Sequence, residues 1–337
     1  MKVALIGLGM VSGTFADAIR NSDQVTLGPV FARRAQSREA FLAAHPDLGA
    51  VAAPSVEDIA NDPSVDFVIV TTPPDARAEI VEILSNAGKP ILMEKPIERN
   101  LAAATAIVET CEARGVPLGI TLQHRARPEV AEFLARKDAL GSLVSVENNV
   151  PWWRPQSYYD EPGRGTYARD GGGVLITQAI HPIDLMLSLT GPVVEVTAMC
   201  ATSAFHDMEA EDFAVVGMRF ENGALGQLFA STASFPGRGE MLVLHCRNGS
   251  ALMERGKLFI HWQDGRVESL GEEAATGSGA DPMAFKSDWH RFIIEDFARA
   301  LKDQRPLLVS GRSALVAHAL IEAIERSART GQRVEMS

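Results

Sequence analysis

Residues 2–13, read as KVALIGLGMVSG, leave the chain few ways to fold. Val3-Ala4-Leu5-Ile6 is a short apolar run of β-forming type, Gly7-Leu8-Gly9-Met10-Val11-Ser12-Gly13 interrupts it, and helical spacing resumes over residues 15–20. The order implied is strand, tight glycine turn, helix. A dinucleotide's pyrophosphate needs a backbone surface with no side chain in the way. Gly7 permits the turn, Gly9 lets the backbone approach, and Met10 and Val11 lead into a helix whose first N–H groups point at phosphate oxygens. The third glycine of G-x-G-x-x-G is replaced by Ser12 or displaced to Gly13, so an ordinary strand-to-helix turn is the competing reading.

Residues 24–32 read as a second strand, and its end is where a dinucleotide's ribose is recognised. An Asp or Glu there would accept from the 2′-hydroxyl of NAD. This chain has Ala32-Arg33-Arg34 instead. With no carboxylate to repel a 2′-phosphate and two guanidiniums to hold one, NADP is favoured and NAD stays possible. Two solvated arginines at the start of a helix are the alternative.

The alternation continues. Ser55 can cap a short helix, residues 66–70 form a buried strand, and Asp75 can cap a helix running through Leu84. Residues 90–93 make the next strand, 101–114 a helix stopped by Gly115, and 117–122 another strand. Strands alternating with helices predict a doubly wound parallel sheet, whose ligands bind beyond the carboxyl ends of the strands. Thr71-Thr72-Pro73-Pro74 and Glu94-Lys95-Pro96 sit at such ends and are candidates to face a cofactor.

Past Leu122 the rhythm changes. A helix over 128–136 and a strand over 143–150 lead into an irregular stretch, 151–170, rich in aromatic and polar residues. Strand-like segments follow at 193–200, 212–220, 224–231, 241–246, 250–254 and 258–262, with hairpin signals at Asn222-Gly223 and Asn248-Gly249. These predict a largely antiparallel sheet. A soft loop over 271–279 precedes two amphipathic helices, one carrying Trp289, Phe292, Ile293, Phe297 and Leu301, the other over 315–324. The apolar residues Phe213, Val215, Leu225 and Leu228 suggest a sheet face covered by another subunit, hence a homodimer or homotetramer.

A net charge of −11 argues against a nucleic-acid partner, which normally requires a basic face. No apolar run reaches the length of a membrane span, and Met1-Lys2 leads straight into the glycine turn, so a cytoplasmic protein is expected. Cys111, Cys200 and Cys246 are odd in number and widely spaced, which suits reduced, buried thiols. No metal-ligand spacing is found.

Residues 171–184, GGGVLITQAIHPID, hold the densest chemistry outside the glycine turn. If this segment is helical after its glycines, Thr177 and His181 lie four apart on one face and Asp184 follows His181 by three, an arrangement in which a carboxylate could orient a proton-transfer histidine. A structural histidine is the competing reading. Lys95, at a strand end, can steady negative charge on a substrate oxygen, or simply pair with Glu94 on the surface.

With Gly7-Leu8-Gly9, Thr71-Thr72-Pro73-Pro74, Glu94-Lys95-Pro96, Gly171-Gly172-Gly173 leading to His181 and Asp184, Trp289-His290, Arg305-Pro306 and Thr330-Gly331 in this order, the chain resembles the glucose-fructose oxidoreductase, inositol dehydrogenase and rhizopine-catabolism (Gfo/Idh/MocA) family over nearly its whole length. The resemblance implies a Rossmann domain, 1–122, and an α/β domain with an open, mostly antiparallel sheet, 123–337, whose last helices can pack back on the first, with a substrate cleft between the domains. It implies cofactor contacts at Thr71, Thr72, Pro73, Glu94 and Lys95. Lys95 and His181 would be the catalytic pair, His181 taking the hydroxyl proton of a sugar or cyclitol while hydride passes to the nicotinamide. Many relatives carry Asp four residues before the histidine, where this chain has Thr177. That changes how a polyol is held, and Gln178 can share the role. Residues 151–160 fall where the family builds part of its substrate pocket. There Trp153 and Tyr158 offer ring faces and Arg154 hydrogen bonds. Residues 164–169, with Tyr167, can hold an anionic extension, and Gln123-His124-Arg125 can line the cleft. The expectation is an NADP-preferring oxidoreductase acting at a secondary alcohol or its ketone. A catalytically silent sensor of dinucleotides is the alternative.

Overall fold

The structure is a computed structural model that describes residues 1–274, 277–281 and 286–336. The loop expected over 271–279 therefore lies partly outside the described residues, at 275 and 276. The chain divides into two compact units, Met1–Gln123 with Ser287–Leu315, and His124–Lys286 with Val316–Ser337.

Among the described residues of the first unit, six strands form one sheet: β1 (Lys2–Ile6), β2 (Thr26–Phe31), β3 (Val51–Ala52), β4 (Phe67–Val70), β5 (Ile91–Glu94) and β6 (Leu118–Thr121). Their order is β3-β2-β1-β4-β5-β6 with every pairing parallel, the doubly wound order of a Rossmann sheet. Strands covered on both faces read as continuous apolar runs, and the side chains of Val3 to Ile6 and of Phe67 to Val70 are at most 1% exposed. The helix Asp288–Asp303 joins this unit through Phe297, whose ring meets Phe67 at 5.2 Å.

Ser55 caps the helix Val56–Asn61 by accepting from the Asp58 amide at 3.0 Å. Asp75 does not cap. Pro74–Ala76 forms a 3-10 turn, so the next helix begins two residues later and runs Arg77–Asn86, with no side-chain cap among the described residues.

The second unit holds, among its described residues, β7 (Leu143–Pro151), β8 (Val193–Ala201), β9 (Phe213–Phe220), β10 (Leu225–Ser231), β11 (Met241–Cys246), β12 (Gly249–Glu254), β13 (Lys257–Trp262), β14 (Val267–Gly271) and β15 (Val334–Glu335). They form one sheet in the order β14-β13-β12-β11-β7-β10-β9-β8-β15. Only β7 with β10 is parallel. The pairing places Leu228 opposite Val216, and both are buried, whereas Val215 and Leu225 are 41% and 53% exposed. Leu228 is therefore a core residue and not part of an outward apolar face, because side chains alternate along a strand. No helix among the described residues is long and apolar enough to cross a membrane.

Candidate functional site

In the first unit the chemistry-bearing residues collect at the carboxyl ends of the strands. Gly7 leaves β1 with φ +99°, and a Cβ there would lie 2.7 Å from the Thr72 amide nitrogen, so glycine is required both for conformation and for space. The Gly7 amide donates to Phe31 at 2.8 Å, and the Thr71 hydroxyl donates to the Gly7 carbonyl at 2.6 Å, joining the ends of β1, β2 and β4. A Cβ on Gly9 would meet nothing within 4 Å, so the backbone is open to a ligand there. Met10 is 55% exposed, and the helix Ser12–Arg20 starts from Val11 with no side-chain cap among the described residues. The amides of Ser12 and Thr14 donate to the carbonyls of Gly9 and Val11 at 3.1 and 3.0 Å, and a bare glycine turn opening onto a helix start with no side-chain cap fits a dinucleotide pyrophosphate. Ala32 is half-buried and Arg33 and Arg34 are exposed at the end of β2, just before the helix Ala35–Ala44.

Arg77 is a buried residue the sequence reading passed over. Its Nε and Nη2 donate to the Thr72 carbonyl at 3.0 and 2.7 Å, and its Nη1 donates to the carbonyls of Glu94 and Pro96. Burial pulls this guanidinium down to about 10, against the opposing charges of Glu94, Glu98 and Asp75. The signal was available: Arg77 shares the stripe of Val81 and Leu84, the face of its helix that is buried.

Glu94 is 6% exposed, so a surface pair with Lys95 is not what forms. Burial raises the Glu94 carboxyl, with the charges of Lys95 and Arg77 opposing. His290 lies with its Nε2 3.9 Å from Glu94 Oε1 and its ring edge-on to Phe15. Burial first, and the Lys95 charge second, push His290 down to about 3, so it is neutral. Half-buried Lys95 thus follows a strand end backed by a neutral imidazole and a sequestered carboxyl. Pro73 precedes the 3-10 turn at the end of β4, and Gln123, 6% exposed, closes this unit's first segment.

In the second unit the segment ahead of His181 is helical, but through a π turn, Leu175–Ala179, followed by the α-helix Ile180–Thr190. The wider turn breaks the regular four-residue face on which Thr177 would sit above His181; such turns recur at functional positions. The Thr177 hydroxyl lies within hydrogen-bonding reach of the Gly173 carbonyl, at 2.6 Å, and of Gln178 Oε1, and its single proton serves one of them at a time. Asp184, 1% exposed, accepts from Arg125 through both carboxylate oxygens, one of them at 2.7 Å from Nε. The carboxylate that was to orient His181 is engaged by an arginine. Glu211, unread from the sequence, caps the segment: its two oxygens accept from the Gly173 and Leu175 amides at 3.1 and 3.0 Å.

Of the aromatic stretch, Trp153 packs against Phe205 and Phe235, and its amide donates to Ser278 at 2.9 Å. Arg154, 2% exposed, gives its guanidinium to the carbonyls of Trp153, Gly277 and Gly279. It therefore braces the loop at 277–279. The Tyr158 hydroxyl accepts from Arg164 at 3.2 Å and from Gln178 at 3.5 Å, so Tyr158, Thr177 and Gln178 come together. Arg164 and Arg169 both pair with Glu161, which reduces what they can offer an anion. The His181 ring, 7% exposed, stacks on His124 at 4.9 Å and 23°.

Two family models match the chain. Residues 1–122 match the oxidoreductase family model with a NAD-binding Rossmann fold, and residues 130–252 match the GFO/IDH/MocA C-terminal domain. The chain is 30% identical to the myo-inositol dehydrogenase Hyg17 of Streptomyces leeuwenhoekii over 299 residues, 87% of this chain and 84% of that one. It is 28% identical to the D-apiose dehydrogenase of Paraburkholderia graminis over 358 residues, 99% and 89% of the two chains. The crystal structure of the WlbA dehydrogenase from Bordetella pertussis, in complex with NADH and UDP-GlcNAcA, has a TM-score of 0.83 at 26% identity, covering 100% of this chain and 99% of that one. This chain belongs to the Gfo/Idh/MocA family of oxidoreductases, built on a NAD-binding Rossmann fold, and is a dehydrogenase or reductase.

Proposed function

We propose that this enzyme oxidises a secondary alcohol of a sugar, sugar derivative or cyclitol, or reduces the matching ketone, with NADP preferred over NAD. The observation that carries the reading is the end of the parallel sheet. There the Gly7–Gly9 turn opens an uncapped helix at β1, and Lys95 follows β5 beyond the same edge. The bound nicotinamide would supply the hydride acceptor or donor. Gly7, Gly9, Met10 and Val11 hold the pyrophosphate, Thr71, Thr72, Pro73 and Glu94 shape the wall beside it, and Ala32, Arg33 and Arg34 receive the ribose end with its 2′-phosphate.

Lys95 then steadies developing negative charge on the substrate oxygen, and His181 takes the hydroxyl proton in oxidation and returns it in reduction. Trp153, Tyr158, Thr177, Gln178 and Gln123 line the substrate's polar contacts. Arg154 acts by bracing the loop that supports Trp153. Support for a polyol substrate comes from the relatives named for myo-inositol and D-apiose and from the WlbA structure holding a nucleotide sugar. A homodimer or homotetramer in the cytoplasm belongs to the same reading, with Val215 and Leu225 on the covered face.

The test is cofactor reduction followed by absorbance, with NADP and NAD separately, across monosaccharides, anhydrosugars, inositols and nucleotide sugars. Turnover that is lost in both Lys95→Ala and His181→Ala is the expected result. Undiminished turnover in both variants overturns the catalytic assignment and favours the dinucleotide sensor.

A further inference from the structure

We infer that His124 is a positioning residue for His181: its imidazole, fixed by Arg127, is the flat support on which the His181 ring is held. The inference rests on reading His181 as the proton-transfer group.

His124 lies in the turn Gln123–Ala126, directly ahead of the helix Pro128–Leu134. Its ring and that of His181 are nearly parallel, 4.9 Å apart at 23°, and the two residues are 4% and 7% exposed. Beyond His124 stands Arg127, 5% exposed, whose Nη2 donates to Glu240 Oε1 at 2.8 Å and also meets His124 Nε2. A guanidinium only donates, so the Nε2 of His124 must accept. The proton of the neutral ring is thereby placed on Nδ1, because an imidazolium would need a hydrogen where Arg127 already puts one. The charged groups around this pair are named by the fold. Glu240 precedes β11, Glu129 lies in the helix with its Oε1 4.0 Å from Arg127 Nη1, and Arg125 in the same turn is committed to Asp184. Glu240, Arg127 and His124 form a buried series ending in a ring of fixed tautomer and orientation.

A ring that moves protons has to be held within a fraction of an ångström of its working position. His181 follows a π turn, where the regular backbone ladder is interrupted. The nearby carboxylate of Asp184 is held by Arg125, and the stack on His124 restrains the plane of the His181 ring.

Two measurements on the full chain test this. In protein labelled with 15N-histidine, long-range proton–nitrogen spectra from about pH 6 to about pH 9 should show His124, assigned with His124→Phe, as the neutral Nδ1–H tautomer throughout. An Nε2–H or protonated His124 overturns the inference. In the same spectra His124→Ala should shift the His181 ring protons more than His124→Phe does, and equal shifts count against the stack.

The second measurement is turnover of whichever sugar or cyclitol the wild type accepts. His124→Ala should lower kcat about tenfold or more and move the His181 limb of the pH profile. KM and the NADPH dissociation constant should stay within about threefold, far-ultraviolet circular dichroism, which reports folding, should match the wild type, and His124→Phe should recover part of kcat. An unchanged kcat and pH profile in His124→Ala, alongside dead His181→Ala, sinks the positioning role alone. Wild-type turnover in His181→Ala sinks the reading beneath it.

Discussion

Arg77 donates to the main-chain oxygen of Glu94, the residue directly before Lys95, and with the same guanidinium holds the carbonyl of Thr72. One buried cation therefore ties the loop after β4 to the loop after β5. Arg77→Leu leaves these carbonyls buried and unpaired, and each hydrogen bond to a charged donor is worth about 1.5–3 kcal/mol. The expected cost is about 3 kcal/mol or more in urea unfolding, together with weaker NADPH binding. Arg77→Lys keeps the charge but not the fork, and should fall between. A loss under about 1 kcal/mol in Arg77→Leu would show that the carbonyls find other donors.

Glu325 faces Glu211 in the second unit, and burial first, then that neighbouring carboxylate, raises it to about 7. A carboxyl raised in the folded state binds its proton more tightly there than when unfolded. Its stabilising contribution is complete below the ordinary value of 4.5 and is lost as pH rises through about 7. His290, held near 3, has the opposite sign, since the unfolded chain takes up its proton between 6.5 and about 3 and stability rises with pH across that window. The two slopes offset each other in the wild type. Glu325→Gln removes one of them, so the variant should gain stability over the wild type at about pH 8 and lose that advantage at about pH 5. Parallel denaturation curves at both values give the answer, and a difference that does not change with pH contradicts the raised carboxyl.

How much of this could be read from the sequence depended on whether the information was local. The parallel sheet was legible because Val3-Ala4-Leu5-Ile6 and Phe67-Val68-Ile69-Val70 are continuous apolar runs separated by helical spacing. Gly7 and Gly9 were legible because a phosphate turn needs glycine wherever it occurs. β15 and β3, of two residues each, carry no pattern of their own and exist only through pairing with β8 and β2. The partner of Asp184 is hidden in the sequence, where proximity suggests His181, three residues away. Arg125, 59 residues distant in sequence, reaches it only in the folded chain. The bracing role of Arg154 was hidden for the same reason, since its acceptors at Gly277 and Gly279 lie 123 and 125 residues on.

Gly173 sets a stricter test of the segment before His181. A Cβ there would lie 1.7 Å from the backbone oxygen of Glu211, which cannot move without disturbing its bond from the Val174 amide at 2.8 Å. Gly173→Ala should cost several kcal/mol, at the upper end of about 1–3 kcal/mol for overpacking or beyond it, and lower turnover by displacing the turn that carries His181. Gly9→Ala is the matched control for stability, because its Cβ would enter open space. Thermal unfolding of the two variants should separate them clearly, and similar midpoints would mean that the Glu211 contact yields easily.

The cofactor choice turns on two exposed side chains. Arg33 and Arg34 follow β2 with no carboxylate beside them in sequence, and Arg38 is drawn back onto the Ala32 carbonyl at 2.5 Å and over the Phe31 ring. A 2′-phosphate on the ribose brings close to two negative charges to this corner, and each charge-assisted hydrogen bond from a guanidinium contributes about 1.5–3 kcal/mol. The double variant Arg33→Ala with Arg34→Ala should therefore weaken NADPH by about tenfold to a hundredfold while changing NADH by less than about threefold. Because these contacts are exposed, the wild-type preference should also shrink as salt is raised, which a merely steric preference would not do. Fluorescence titration of both reduced cofactors, at low and high salt, measures each of these. Tighter binding of NADH than NADPH by the wild type, or equal losses for the two cofactors in the double variant, would assign the arginines to the solvated start of the helix Ala35–Ala44 and leave cofactor choice to other residues.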